Sequence, residues 1–277
     1  MPGILFVVAT PLGNLGDLSP RAAEVLRQVP VVAAEDTRRT RGLLSHLGVA
    51  PTLLSYHAHS QERRLESLLE MLAEGRDVAL VSDAGTPAVS DPGSELVAAA
   101  RGRGLTVVPV PGPSAVAAAL SASGLAADRY LFLGFPPRKG GERQRLLRRA
   151  AEEEWSVVLF EAPPRLAALL ADLAAAAGPD RRAVVARELT KLHEEFRAGT
   201  LAELADYYSQ VAPRGELTVV LEGAGRPAPA PDRSEEAQEA ATELLAEGLS
   251  RREVARRLTE SHGLSRNDAY RLVTGLP

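Results

Sequence analysis

The chain has 277 residues, more than one ordinary domain and fewer than three, with 45% hydrophobic and 25% charged residues, a balance that excludes a disordered protein. The absence of cysteine excludes disulfides, thiolate metal sites and a thiol nucleophile, and fits a reducing cytoplasm. A net charge of -4, from 32 basic and 36 acidic residues, argues against a nucleic-acid partner only if the charge is evenly spread.

The opening segment, Met1 to Asn14, has too short an apolar stretch and no basic lead, so it reads as neither signal peptide nor membrane anchor. Ile4 to Ala9 reads instead as a buried strand running into the loop Thr10-Pro11-Leu12-Gly13-Asn14. Ser19-Pro20 opens a helix to about Val29, with a cap followed by proline at the first helical position. Val31 to Ala34 is a second strand ending at Glu35-Asp36-Thr37, and a helix from Arg38 stops at Gly48. A third strand spans Thr52 to His57, and Ser60 caps an amphipathic helix that ends at Gly75. Val78 to Val81 leads into Ser82-Asp83-Ala84-Gly85-Thr86-Pro87, a helix follows from about Pro92 to Arg101, and Thr106 to Val110 is closed by Pro111-Gly112-Pro113-Ser114-Ala115 and an alanine-rich helix to Ser123.

Five strands alternating with helices predict a mostly parallel sheet covered on both faces. Its ligand belongs beyond the carboxyl ends of the strands, where three loops, TPLGN, SDAGTP and PGPSA, are rich in glycine and proline. From Arg129 the alternation restarts, with strands at Tyr130 to Phe135, Ser156 to Phe160, Ala183 to Ala186 (extended through Lys191 to Arg197) and Glu216 to Leu221. Helices are expected at Gln144 to Glu153, Pro164 to Ala177 and, capped by Thr200, as far as Val211. The organisation is an α/β domain over residues 1–124, a second over 125–224, a Pro/Ala linker over 225–233 and a helix-turn-helix-like tail over 234–277, divided at Gly263.

Several chemistries lack their motifs. There is no G-x-G-x-x-G, P-loop, G-x-S-x-G or H-E-x-x-H in the chain, so dinucleotide, nucleotide-triphosphate, serine-hydrolase and zincin readings have no support. His57 and His59 share a strand face, but without cysteine or a third histidine nearby they read as hydrogen-bonded or solvated side chains, and no metal site is expected. The three loops offer free backbone amides and carbonyls to a small polar cofactor, and Asp83 adds a carboxylate acceptor.

In order, TPLGN, EDTRRT (Glu35 to Thr40), YHAHS (Tyr56 to Ser60), SDAGTPAVSDPG (Ser82 to Gly93), PGPSA, FEAPPR (Phe160 to Arg165) and RELTKLHEE (Arg187 to Glu195) resemble the ribosomal RNA small-subunit methyltransferase I family, a branch of the tetrapyrrole-methylase-like, class III methyltransferases. The resemblance spans nearly the whole chain, and SDAGTPAVSDPG is its most specific part. It implies two α/β domains with S-adenosylmethionine in the cleft between them, a homodimer, and methylation of the ribose 2′-hydroxyl of one cytidine in the decoding region of 16S ribosomal RNA. It places cofactor contacts at Pro11, Leu12 and Gly13, at Asp83 and Thr86, at Ser114 and Ala115, at Phe160 and Glu161, at Leu189, and at Thr218 and Val219. Ser82-Asp83-Ala84-Gly85 stands where tetrapyrrole methylases carry a G-D-P-type motif.

A hydroxyl that attacks a methyl group must lose its proton. Glu35, Asp36, Glu161, Glu188, Lys191 and Glu194 are the polar groups at cleft-facing element ends. Among them Lys191, held by Glu188 or Glu194, is the expected catalytic group, since a buried lysine can be neutral enough to act as a base. RNA phosphates call for a cationic surface. Arg138, Lys139, Arg143, Arg145, Arg148 and Arg149 are opposed only by Glu142 within twelve residues. Arg38 and Arg39, with Arg41, make a smaller cluster, and residues 250–275 of the tail set six arginines against Glu253, Glu260 and Asp268. The whole-chain charge therefore averages an acidic body with basic patches. Two alternatives stay open: a precorrin-type tetrapyrrole methyltransferase, which would need neither patch, and a helix-turn-helix regulator that senses a small ligand.

Overall fold

The computed structural model describes residues 1–57, 61–225, 234–262 and 266–275. The first sheet comprises β1 (Ile4–Val8), β2 (Val31–Ala34), β3 (Thr52–Ser55), β4 (Val78–Val81) and β5 (Thr106–Val110), in the order β3-β2-β4-β1-β5. Every pairing is parallel. Side chains alternate across it as strand geometry requires. Leu5, Val31, Ala33, Val78 and Leu80 pack under α3 (Gln61–Ala73) and α4 (Ser94–Gly102). Val8, Val32, Ala34, Ala79 and Val81 pack under α1 (Pro20–Gln28) and α2 (Thr37–His46). Ser19 caps α1 by accepting from the Ala22 amide at 3.1 Å, with Pro20 at the first helical position.

The second sheet has the order β6-β7-β10-β8-β9, from β6 (Tyr130–Gly134), β7 (Ser156–Glu161), β8 (Arg182–Arg187), β9 (Glu195–Thr200) and β10 (Leu217–Leu221). It is mixed: β6 and β7 are parallel, the other neighbours antiparallel. Val157, Leu159, Val185, Val219 and Leu221 face α6 (Gly141–Glu152), α7 (Leu166–Ala177) and α8 (Leu201–Gln210). Val158, Val184, Ala186 and Val220 face the opposite way, onto α5 (Ala115–Ser123). The helix that ends the first half thus packs on the sheet of the second, through Val116, Ala119 and Leu120, and Met1–Ala224 forms one compact unit.

Gly225–Pro277 is the other unit. Within it α9 (Ser234–Ala246), α10 (Arg251–His262) and α11 (Arg266–Thr274) share a core of Ala237, Ala241, Val254, Leu258, Ala269 and Val273. Most of the expected linker, the Ser60 cap, His59 and the division at Gly263 lie outside the described residues.

The third strand ends at Ser55, short of the expected His57, which therefore lies beyond the strand and not on its face, and two further elements differ from expectation. The strand expected to run from Ala183 through Arg197 turns back instead: Glu188 and Thr190 adopt left-handed φ of 52° and 65°, the Lys191 and Glu194 amides close turns onto Glu188 and Lys191, and β9 returns beside β8. The helix expected from Pro92 begins at Ser94, because Ala88, Ser90 and Gly93, at φ 68°, 63° and 134°, hold the preceding segment irregular.

Candidate functional site

The loops beyond the carboxyl ends of β1, β4 and β5 are tied together. Thr10 and Gly85 exchange backbone hydrogen bonds of 2.9 Å in both directions. The Thr10 hydroxyl donates to the Ser82 carbonyl at 3.2 Å and the Thr86 hydroxyl to the Pro113 carbonyl at 3.3 Å, while Ser114 caps α5. The end of β2 joins them: the Asp36 amide donates to Asp83 Oδ1 at 2.9 Å, the Asp83 amide to Glu35 Oε2 at 3.4 Å, and Arg39 Nε lies 3.6 Å from Asp83 Oδ2.

Between this edge and the second sheet is a cavity of about 410 Å³, within the size range of small-molecule sites. From the first half, Leu12, Asp83, Thr86, Ser114 and Ala115 line it; from the second, Phe160, Glu161, Leu189 and Thr218 do. Pro11, Gly13 and Val219 do not. The Val219 side chain belongs to the opposite face of β10 and is fully buried among α7 and α8 residues, a consequence of strand alternation next to Thr218. Gly13 instead lies under Lys191: a Cβ there would stand 2.2 Å from Lys191 Cγ.

The cavity is acidic on one side. Besides Asp83 it is lined by Glu35, Asp91 and Glu216, with Arg39 as the opposing cation. Burial, reinforced by the charges of Glu35, Asp83 and Glu216 and opposed by the Ser82 hydroxyl, lifts the Asp91 pKa to about 6. Burial also raises that of Glu35, against the Asp83 amide and Arg39. Glu161, 2% exposed, receives Arg165 Nε at 3.1 Å and the Ala162 amide at 2.8 Å on Oε1. Its Oε2 faces Arg143 Nη1 at 4.0 Å and has no hydrogen-bond partner among the described residues, an acceptor left over for a ligand donor.

The ion network around Lys191 keeps Glu188, one of its two expected partners, and adds Glu216 in place of Glu194. Lys191 Nζ pairs with Glu188 Oε1 at 2.8 Å and with Glu216 Oε2 at 3.3 Å. Burial alone would lower its pKa, but these two carboxylates outweigh burial and raise it, which favours the charged form of Lys191. Glu188, despite its own burial, is lowered by Lys191 and by the Glu216 amide. Glu194 takes no part, because its carboxylate accepts from the Thr190 amide. Glu216 was missed: it sits at a strand start with no motif around it, and only the β8–β10 pairing brings it to Lys191.

Arg143, expected on the RNA-facing surface, lies inside instead. Eight per cent exposed, it donates to Asp172 Oδ2 at 2.8 Å and to the Pro137 carbonyl at 3.1 Å, so it is an internal tie, because its place on α6 turns it toward α7. Arg138, Lys139, Arg145, Arg148 and Arg149 are exposed. Arg149 pairs with Glu153 at 3.1 Å and Arg145 stands 4.0 Å from Glu142. Arg38 is exposed and paired with Asp36 at 3.0 Å, which holds the Asp36 pKa down to about 2, whereas Arg39 reaches the cavity.

An all-parallel sheet and a mixed sheet enclosing an acid-lined cleft define a class. The family model of tetrapyrrole (corrin/porphyrin) methylases matches residues 5–205, and solved structures share the fold: a cobalt precorrin-4 methyltransferase (TM-score 0.64, 19% identity, 81% of this chain and 96% of that one) and a uroporphyrin-III C-methyltransferase from Thermus thermophilus complexed with S-adenosyl homocysteine (TM-score 0.59, 23% identity, 80% and 98%). Proteins named ribosomal RNA small subunit methyltransferase I are far more similar in sequence. The one from Synechocystis sp. is 48% identical over 98% of this chain and 97% of its own length, and that from Pseudomonas aeruginosa 45% identical over 97% and 95%. The chain belongs to the tetrapyrrole methylases and, within them, to the ribosomal RNA small-subunit methyltransferase I family.

Proposed function

We propose that the protein transfers the methyl group of S-adenosylmethionine to the ribose 2′-hydroxyl of a cytidine in the decoding region of 16S ribosomal RNA. The near full-length similarity to proteins named for small-subunit RNA methylation carries this reading, and the cavity supports it. Its acids suit a cationic ligand, Leu12, Phe160 and Leu189 offer apolar surface to a nucleoside, and Glu161 Oε2 has acceptor capacity to spare. When bound, the cofactor supplies an electrophilic methyl group on positively charged sulfur. Asp83, Glu161, Ser114 and Thr218 would hold its polar groups, and enclosure between two sheets limits water at the reacting centre.

The substrate patch would be the exposed residues Arg138, Lys139, Arg145, Arg148 and Arg149. In this reading the protein works in the cytoplasm as a homodimer. Among the described residues no helix is long and apolar enough to cross a membrane. The test is incubation with tritiated S-adenosylmethionine and either small ribosomal subunits or naked 16S RNA, followed by mapping of the label. Label on one cytidine ribose is expected; label on a base, or on a tetrapyrrole instead of RNA, overturns the reading.

A further inference from the structure

Phe135, one residue beyond β6, lines the cavity yet is 55% exposed. Its ring is tilted against Phe160 at 5.4 Å, and Phe160 is edge-on to Phe132 at 4.9 Å. Three rings therefore lead from the α5-covered core to the cavity mouth, and the outermost retains an accessible surface. Two arginines fix the chain beyond it: Arg143 donates to the Pro137 carbonyl and Arg165 to the Pro136 carbonyl, and both reach Glu161 in the cavity wall. Arg138 and Lys139 follow directly, exposed and without an ion pair among the described residues.

From the other side comes the irregular segment before α4. Ser90, at φ 63°, packs so closely on Gly134 that a Cβ there would lie 2.9 Å from Ser90 Oγ. This contact brings the Ser90–Asp91 segment against the residue that precedes Phe135. Asp91 lines the same cavity and makes no ion pair among the described residues. Left-handed non-glycine residues such as Ala88 and Ser90 cost free energy, and such strain concentrates at working sites.

We propose that this mouth is the acceptor-nucleoside subsite: the base of the target nucleotide, turned out of its strand, stacks on Phe135, its phosphates follow Arg138 and Lys139, and Asp91 accepts the 2′-hydroxyl proton. The inference rests on the RNA reading above. Aromatic platforms beside cationic surface are the usual means of holding an unstacked base, and chemistry on a nucleotide within folded RNA requires it to be displaced. As the ribose oxygen forms its bond to the methyl carbon, the hydroxyl proton passes to an Asp91 oxygen. The carbon–sulfur bond breaks with its electron pair on sulfur, and Asp91 later releases the proton to solvent. The groups facing Asp91 are Glu35 from the end of β2, the Ser82 hydroxyl and Asp83 after β4, and Glu216 ahead of β10, while Arg39 lines the same cavity beside Asp83. Their balance leaves Asp91 ionised at neutral pH and protonated below about 6.

The test uses full-length Phe135→Leu, Phe135→Trp, Asp91→Asn and Asp91→Glu. For Phe135→Leu, KM for small ribosomal subunits and the Kd of the cofactor-free protein for them should both rise roughly tenfold, with tryptophan restoring them. Asp91→Asn should lower kcat roughly a hundredfold or more with KM unchanged and remove the acid limb near pH 6, which Asp91→Glu retains. Wild-type subunit binding by Phe135→Leu, or a weakening confined to S-adenosyl homocysteine, overturns the platform. Wild-type kcat in Asp91→Asn overturns the base. Failure of the wild-type protein to methylate any RNA would instead remove the reading beneath both.

Discussion

Asp91 pairs a chemical task with a stability cost. Its carboxyl titrates at about 6 in the fold and near 4 in an unfolded chain. Between those values the folded protein keeps a proton that the unfolded chain has released, so the contribution of Asp91 to stability is greatest below about pH 4 and declines as pH rises to about 6. Asp91→Asn has no charge to desolvate, and after discounting for partial exposure it should be about 1–2 kcal/mol more stable than wild type at pH 8, with little difference at pH 4. Chemical denaturation at both pH values checks this; equal stability at pH 8 would place Asp91 in open solvent. Gly13 makes the opposite case. Gly13→Ala must displace the Lys191 stem from its pairing with Glu188 and Glu216, and a loss of about 1–2 kcal/mol is expected in the same assay. Nine cavity residues were named in advance by the family resemblance. Glu216, Asp91 and Phe135 were not assigned: Glu216 and Phe135 acquire their positions through packing between segments distant in the chain, and Asp91 lies within SDAGTPAVSDPG but reaches the cavity through the left-handed turns at Ala88 and Ser90.

At the scale of elements, helix caps and apolar periodicity were local and could be read directly. Thr200 illustrates this, accepting from the Glu203 amide at 3.2 Å while Glu203 accepts from the Thr200 amide at 2.8 Å, a capping box. The β8–β9 reversal was hidden because its turn uses Glu188 and Thr190 in a conformation that neither residue type advertises. The basic helix α6 was misread in one respect: charge counting cannot tell which arginine faces inward. Arg143→Met removes the cation paired with Asp172 and one of the two arginines facing Glu161, and frees the Pro137 carbonyl, and should cost about 2 kcal/mol in thermal or chemical denaturation. The double change Arg138→Ala/Lys139→Ala should leave stability within about 0.5 kcal/mol, weaken small-subunit binding and flatten its salt dependence by up to about two in the log–log slope. An unchanged slope would take these residues away from the phosphates.

Over the whole molecule, the overall negative charge hides a division of labour. Acidic residues gather at the cavity and along α9, while exposed cations gather along α6 and on α10 of the C-terminal unit. That unit has its own core, so removal of residues 226–277 should leave Met1–Ala224 folded and able to bind S-adenosyl homocysteine while lowering affinity for small subunits severalfold. Wild-type affinity would exclude the tail from the RNA surface. The parallel first sheet followed from strand–helix alternation. The shared core did not, because α5 is apolar on nearly every side and its sequence does not say which sheet it covers.

That placement of α5 has a consequence for how the protein is made. Its partners on β7, β8 and β10 are translated after it, the last near residue 220. At about 5–20 residues per second, α5 waits roughly 5 to 20 s after synthesis before its full binding face exists. For that interval a nearly uncharged helix stands without cover on a nascent chain, a natural landing place for a chaperone at the ribosome exit.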